Sequence, residues 1–226
     1  MSTLDVAASA IRRHETVEIV LLLAFVGGFI DAYTWIVHGV LANAQTANVI
    51  FLWVFAMAGD WAKAFHFAPP ILAFTVGIVI AAWLRRVAGE RAGALSVLLE
   101  ILFLIAIGIL HNRLPDLAGT LGISMVAAIQ TAMFIKVEGT VCSTVMITGN
   151  MRQTVENIFA AVYGGAPLGT LRKSVILFAL CAVFGCGAAA GAFATRTIPN
   201  LALGIPVVAL LIVLLRCETT PREVVE

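Results

Sequence analysis

The chain has 226 residues, 61% of them apolar and 12% charged, with a net charge of +1 and a mean hydropathy of +1.03. Soluble domains are about half apolar and about a quarter charged, so a water-soluble globule is excluded and lipid is the solvent that fits. A near-neutral charge implies no nucleic-acid partner. The four cysteines (Cys142, Cys181, Cys186, Cys217) lack redox or metal-ligand spacing and read as small core residues.

Residues 1–18 form a short polar segment carrying Arg12 and Arg13. The apolar run that starts at Ile19 is too long for a signal peptide and lacks a clean cleavage site, so it is the first permanent span. Eight apolar segments follow one another: 19–37, 49–59, 68–84, 95–110, 117–135, 141–147 continued by 151–163, 175–194 and 201–215. A full crossing takes about 20 residues. The second segment is short before Asp60 and Lys63, and the sixth is expected to break at Gly149-Asn150-Met151-Arg152. Its continuation is amphipathic. Arg152, Gln153, Glu156 and Asn157 share one face, and Val155, Ile158, Phe159 and Val162 share another.

Basic residues favour the cytoplasmic side of a membrane protein. If all eight segments crossed, the dense group Arg85, Arg86, Arg91 would fall outside. If the second and sixth dip in and return, only Lys63, Arg113 and Arg196 stay outside. The expected fold is therefore an all-α integral membrane protein, with about six transmembrane helices plus two re-entrant or half-length helices and both termini in the cytoplasm.

The order of segments repeats. GGFIDAYTW (27–35) late in the first span matches VAAIQTAMF (126–134) in the fifth segment, with Asp31 opposite Gln130. A glycine loop follows each, at Gly39 and Gly139. Then comes a polar knot, Gln45-Thr46-Ala47-Asn48 or Thr148-Gly149-Asn150. Three crossings per half would insert the second half upside down, as an inverted internal repeat. The division is 1–18 as N-terminal segment, 19–110 and 111–216 as repeat halves, and 217–226 as C-terminal tail.

Polar groups at membrane depth are costly and mark candidate sites. Asp31, with Tyr33 and Thr34 beside it, is either a proton or cation site or a structural cap. Thr46 and Asn48, and Thr148 and Asn150, are expected to cap two half-helices whose N-termini converge on one region. Glu100, in the fourth span, is a second candidate for proton or ion coupling. Gln130 bonds across helices, either as glue or as part of the site. The candidate substrate-binding set is thus Asp31, Tyr33, Gln45, Thr46, Asn48, Gln130, Thr148 and Asn150. His38 reads as an interfacial histidine, and His14, His66 and His111 are scattered. Gly187 and Gly191 form a GxxxG, used either for internal packing or for a homodimer, and Pro206 is expected to kink the last span. No HExxH, GxSxG, P-loop or GxGxxG is present, so no catalytic role, cofactor or metal is expected.

GGFIDAYTW, the glycine loop, QTAN, AFTVG (73–77), the arginine pair Arg85-Arg86 and the later TGN together resemble the YoaK family of bacterial membrane proteins, a domain of unknown function. The resemblance spans roughly 21–215, with Ala47 in the glycine place of the first Thr-Gly-Asn element. It implies a bacterial inner-membrane protein of about six spans and supplies no substrate. The leading expectation is a small-solute transporter or channel. A non-transporting scaffold or sensor, and a membrane enzyme on a lipid-linked substrate, are the alternatives.

Overall fold

The computed structural model describes residues 16–110, 113, 115–164 and 167–219. Arg12, Arg13, His14, His111 and Arg222 lie outside the described residues, as does most of the two expected terminal segments. The described part is all-α apart from one two-stranded ribbon. Its helices are α1 (Val17–His38), α2 (Gln45–Met57), α3 (Trp61–His66), α4 (Ala68–Ala88), α5 (Ala92–Leu110), α6 (Asp116–Met133), α7 (Ile147–Tyr163), α8 (Thr170–Thr197) and α9 (Gly204–Thr219). Strands β1 (Lys136–Val137) and β2 (Thr140–Val141) pair antiparallel between α6 and α7.

Four stretches are long and apolar enough to cross a membrane: Val17–His38, Trp61–Leu110, Asp116–Met133 and Thr170–Thr197. Gln45–Met57 and Gly204–Cys217 are shorter apolar helices. The 50-residue stretch holds both α4 and α5. Gly89, at φ 53°, ends α4, and a single 3-10 turn (Gly89–Arg91) leads into α5. Positive φ is open to glycine because it has no Cβ. Gly39 ends α1 in the same way, at φ 66°, with its N–H on the Trp35 carbonyl.

Two crossings fix the bundle. Along α1 and α8, a Cβ on Gly28 would overlap the Phe184 carbonyl, one on Gly187 the Phe25 carbonyl, and one on Gly191 the Phe29 carbonyl. From Phe25 with Gly187, through Gly28 with Ala188, to Phe29 with Gly191 the numbers rise together, so α1 and α8 run parallel with their backbones in contact. Gly187 and Gly191 are thus filled by α1 of the same chain. Of the two uses read for this GxxxG, internal packing is the one these contacts display. Along α4 and α6, a Cβ on Gly77 would overlap the Met125 carbonyl, and Arg85 Nη1 donates to the Ala132 carbonyl. This pair is parallel too.

The remaining helices pack head to tail. Glu18 at the start of α1 pairs with Arg216 at the end of α9 at 3.2 Å. Gly108 near the end of α5 lies against Leu203 just before α9. Gly122 of α6 packs on Phe103 and Ile107 of α5. The core between them includes Leu23, Phe29, Leu104, Ile123 and Leu210, all buried.

Three local expectations change. The sixth segment does not break at Gly149–Arg152. Those residues lie in the first two turns of a continuous α7, and the interruption falls earlier, at 134–146. Residue 141 is in a strand, not a helix. Pro206 does not kink a span, because α9 starts at Gly204 and the first turn of a helix has no ladder bond for proline to break.

Candidate functional site

The loop after α1 does not leave the bundle. It turns at Gly39 and runs back down α1. Ala42 N–H donates to Thr34 Oγ1 at 3.2 Å, Asn43 N–H to Asp31 Oδ1 at 2.8 Å, and Asn43 Nδ2 to the Gly27 carbonyl at 3.3 Å. His38 to Gly27 is about 16 Å along a helix at 1.5 Å per residue. From that depth α2 rises again. Its Phe51 meets Trp35 at 5.8 Å, and His66 Nε2 lies 2.6 Å from the His38 carbonyl. The chain thus enters beside α1, turns, and returns to the end it left.

The second half does the same from the other end. After the ribbon, residues 142–146 climb along α1 to the level of Gly27. A Cβ on Gly27 would lie 2.8 Å from Val145 Cγ1 and 3.2 Å from the Thr144 carbonyl. Gln130 Nε2 donates to the Leu23 carbonyl at 3.0 Å and to Thr144 Oγ1 at 3.2 Å. From there α7 descends beside α8, with Cys181 Sγ near the Ile147 carbonyl and Arg172 paired to Glu138 at 2.7 Å. One residue of α1, Gly27, therefore carries both entry loops.

The two asparagines have one job in two copies. Asn48 Oδ1 accepts from Leu41 N–H at 3.2 Å, and its Nδ2 donates to the Leu41 carbonyl at 2.7 Å. Asn150 Oδ1 accepts from Ser143 N–H at 3.0 Å, and its Nδ2 donates to the Ser143 carbonyl at 2.7 Å. Each amide clamps both backbone groups of the residue seven positions earlier. Neither is an N-cap as expected: the N-cap positions of α2 and α7 are Ala44 and Met146, and neither helix has a side-chain cap bond. The asparagines sit inside the first turn and reach backward, satisfying loop groups that are partly shielded from solvent. Gly149 is not at positive φ, which explains why alanine serves in its place at Ala47.

Residues 19–216 match the model of a family described as a protein of unknown function, DUF1275. The chain belongs to the DUF1275 family. No curated protein and no solved structure matches it.

The expected site residues of this DUF1275 chain divide into three groups. Asp31, Gln130, Asn48 and Asn150 are buried around the two entry loops. Gln45 joins them, donating to the Ala42 carbonyl at 2.7 Å and accepting from Asn48 at 2.9 Å. Thr46 and Thr148 occupy the first turns of α2 and α7 and are exposed. Tyr33 and Glu100 stand apart. Tyr33 is buried edge-on to His38 at 6.3 Å. Glu100 is buried on α5 among Val97, Ile101 and Leu104, with Oε1 lacking a hydrogen-bond partner. Among the described residues, no cation pairs with Asp31; the backbone N–H of Asn43 holds it. Asn43 Oδ1 is a further buried acceptor without a donor. Among the described residues, no group of three His, Cys, Asp or Glu is placed to hold a metal.

Gly27, Asn43 and Thr144 are central and were not singled out as site residues. Gly27 stands in the repeated motif, but its neighbours come from positions 16 and more than 100 residues away. Asn43 is the one polar residue among Val40–Ala44, a faint signal for a loop that must bond at depth. Gln130→Met is expected to lose two buried bonds and about 1–3 kcal/mol of stability, with thermal denaturation in detergent as the measurement.

Proposed function

We propose that this DUF1275 chain is a small-solute transporter or channel of the bacterial inner membrane, built as six spans in two inverted halves. The observation that carries this reading is the meeting of both half-helix entry loops on Gly27. Non-helical backbone at membrane depth is tolerated where it is buried in protein or lines a wet path, and broken helices that converge from opposite sides are a transporter's usual binding architecture.

Helix directions support six crossings. α1, α5 and α8 point one way, and α4, α6 and α9 the other, so direction alternates along the chain when α2, α3 and α7 are taken as returning segments. The packing supports the inversion. Exchanging α1 with α6, α2 with α7, α4 with α8 and α5 with α9 turns the α1/α8 crossing into the α6/α4 crossing and one asparagine clamp into the other. Arg85, Lys136, Arg172 and Arg216 share one end, and Lys63 and Arg196 the other. In this reading the basic end, where the start of α1 meets the end of α9, is the cytoplasmic side. Membership of DUF1275 is in keeping with a YoaK-type membrane protein.

In this reading Asp31 is the proton- or cation-coupling group, and Thr46 and Thr148, the unclamped polar side chains of the two knots, face the solute. The test is stopped-flow light scattering of proteoliposomes challenged with gradients of urea, glycerol or glycine. Wild-type protein is expected to speed the volume change for at least one of them, and Asp31→Asn and the Thr46→Val/Thr148→Val pair to slow it. Asparagine at 31 keeps an oxygen for the Asn43 N–H, so the fold should persist. Flux no faster than in protein-free vesicles, or flux indifferent to both variants, would sink the proposal.

A non-transporting scaffold is the second reading. The observation favouring it is that both asparagine amides are consumed within their own loops. It predicts that substitutions around Gly27 change stability alone. Among the described residues, no cluster of three His, Cys, Asp or Glu supports a metal-dependent catalytic reading.

A further inference from the structure

Aligning the two clamps sets the repeat at 102 positions, since Leu41 and Asn48 correspond to Ser143 and Asn150. The starts of α2 and α7, Gln45 and Ile147, differ by the same interval. The two half-helices can therefore be compared position by position, and they differ in kind. Phe51 and Phe55 of α2 correspond to Gln153 and Asn157 of α7. Ile50 and Val54 correspond to Arg152 and Glu156.

In the first half these positions join an aromatic cluster. Phe51 packs on Trp35 at 5.8 Å and on Phe67 at 5.4 Å, and Phe55 stacks flat on Phe67 at 5.8 Å with Lys63 Nζ 4.1 Å above its ring. In the second half the same face is polar. Arg152 and Glu156 pair at 3.0 Å, with side chains 68% and 59% exposed. The stripe begins at Gly149, whose α carbon faces open space, and runs down α7 from the depth of Gly27 to the basic end. Ionisable side chains within membranes face protein or water, seldom hydrocarbon. The lipid-facing surface of α7 is already supplied by its exposed apolar face, Val155, Phe159 and Val162.

We infer that the Gln153–Asn157 face of α7 is the wall of a water-filled vestibule, open to the cytoplasmic side, by which a small polar solute reaches the Gly27 level, while the Trp35–Phe51–Phe55–Phe67 cluster seals the opposite side. The inference rests on the inverted-repeat reading above and adds which side is open and which side chains the solute meets.

Thiol labelling tests it, because the thiolate that reacts forms only where water reaches the sulfur. Single cysteines are placed at Gln153, Asn157, Val155, Phe51 and Phe55 in full-length protein, with labelling of the native cysteines measured in parallel and subtracted. A membrane-impermeant charged methanethiosulfonate is added to inside-out vesicles or to intact spheroplasts. Gln153→Cys and Asn157→Cys should label about ten-fold faster than Val155→Cys, as expected for wet against lipid-facing thiols, and only in inside-out vesicles. Phe51→Cys and Phe55→Cys should label slowly from both sides. Equal, slow labelling at 153 and 155 would mean that lipid or a second copy covers the stripe, and it overturns the inference. So does fast labelling at 51 or 55 from outside. A wet stripe in a protein without solute flux keeps the vestibule and defeats the transport reading, so the two failures are distinguishable.

Discussion

Gly28→Val should all but abolish recovery of folded protein, measured as the monodisperse fraction by size-exclusion chromatography in detergent. The Cβ alone would overlap the Phe184 carbonyl and crowd the Ala188 nitrogen at 3.0 Å. Both are backbone atoms of α8, so no rotamer change relieves the clash. Two long helices would have to separate along the crossing that Gly187 and Gly191 continue on the other side. Overpacking of a yielding core costs about 1–3 kcal/mol, and more where backbone must move. A whole protein has only about 5–15 kcal/mol to lose. Gly185→Ala is the control on α8, since nothing lies within 4 Å of its added carbon. A Gly28→Val variant that purifies as well as Gly185→Ala would show that α1 and α8 do not meet as described.

Asn48→Ala and Asn150→Ala form the second large prediction. Each removes an amide that satisfies one part-buried N–H and one part-buried carbonyl of a loop packed along α1. An unpaired buried group costs about 1–3 kcal/mol, and these two are part-buried, so each variant should lose about 2–4 kcal/mol. The clamps sit in separate loops, and the double variant should lose close to the sum, within about 0.5 kcal/mol for independent sites. Thermal denaturation in detergent measures this. Thr46→Val and Thr148→Val, at exposed positions two residues away in the same turn, should leave the midpoint nearly unchanged. Equal effects for the threonine and asparagine variants would refute the clamp assignment.

The contrast between these residues also shows how far the sequence could be read. Thr46 and Asn48 looked alike there: two small polar residues at a helix start, both potential caps. The structure gives them unlike tasks because a cap is defined by where the loop goes, and the loop doubles back along α1. A backbone carbonyl seven residues away has no signature in the letters. The same holds for Gly187 and Gly191. Their spacing announced a close helix approach, but whether the neighbour was α1 or a second copy depended on three-dimensional packing.

Other features were legible because they are sums or periodicities. The excess of apolar residues decided the solvent, since no arrangement of so few polar groups could cover the surface in water. The short second segment and the amphipathic sixth stood out because a crossing has a minimum length, and they became α2 and α7. The likeness of the two knots was visible as repeated letters. What tertiary structure alone decided was that both knots come to rest on Gly27, approached from opposite ends of α1. Contacts spanning more than a hundred residues are set by which backbones can touch, and that choice is made by packing rather than by local sequence.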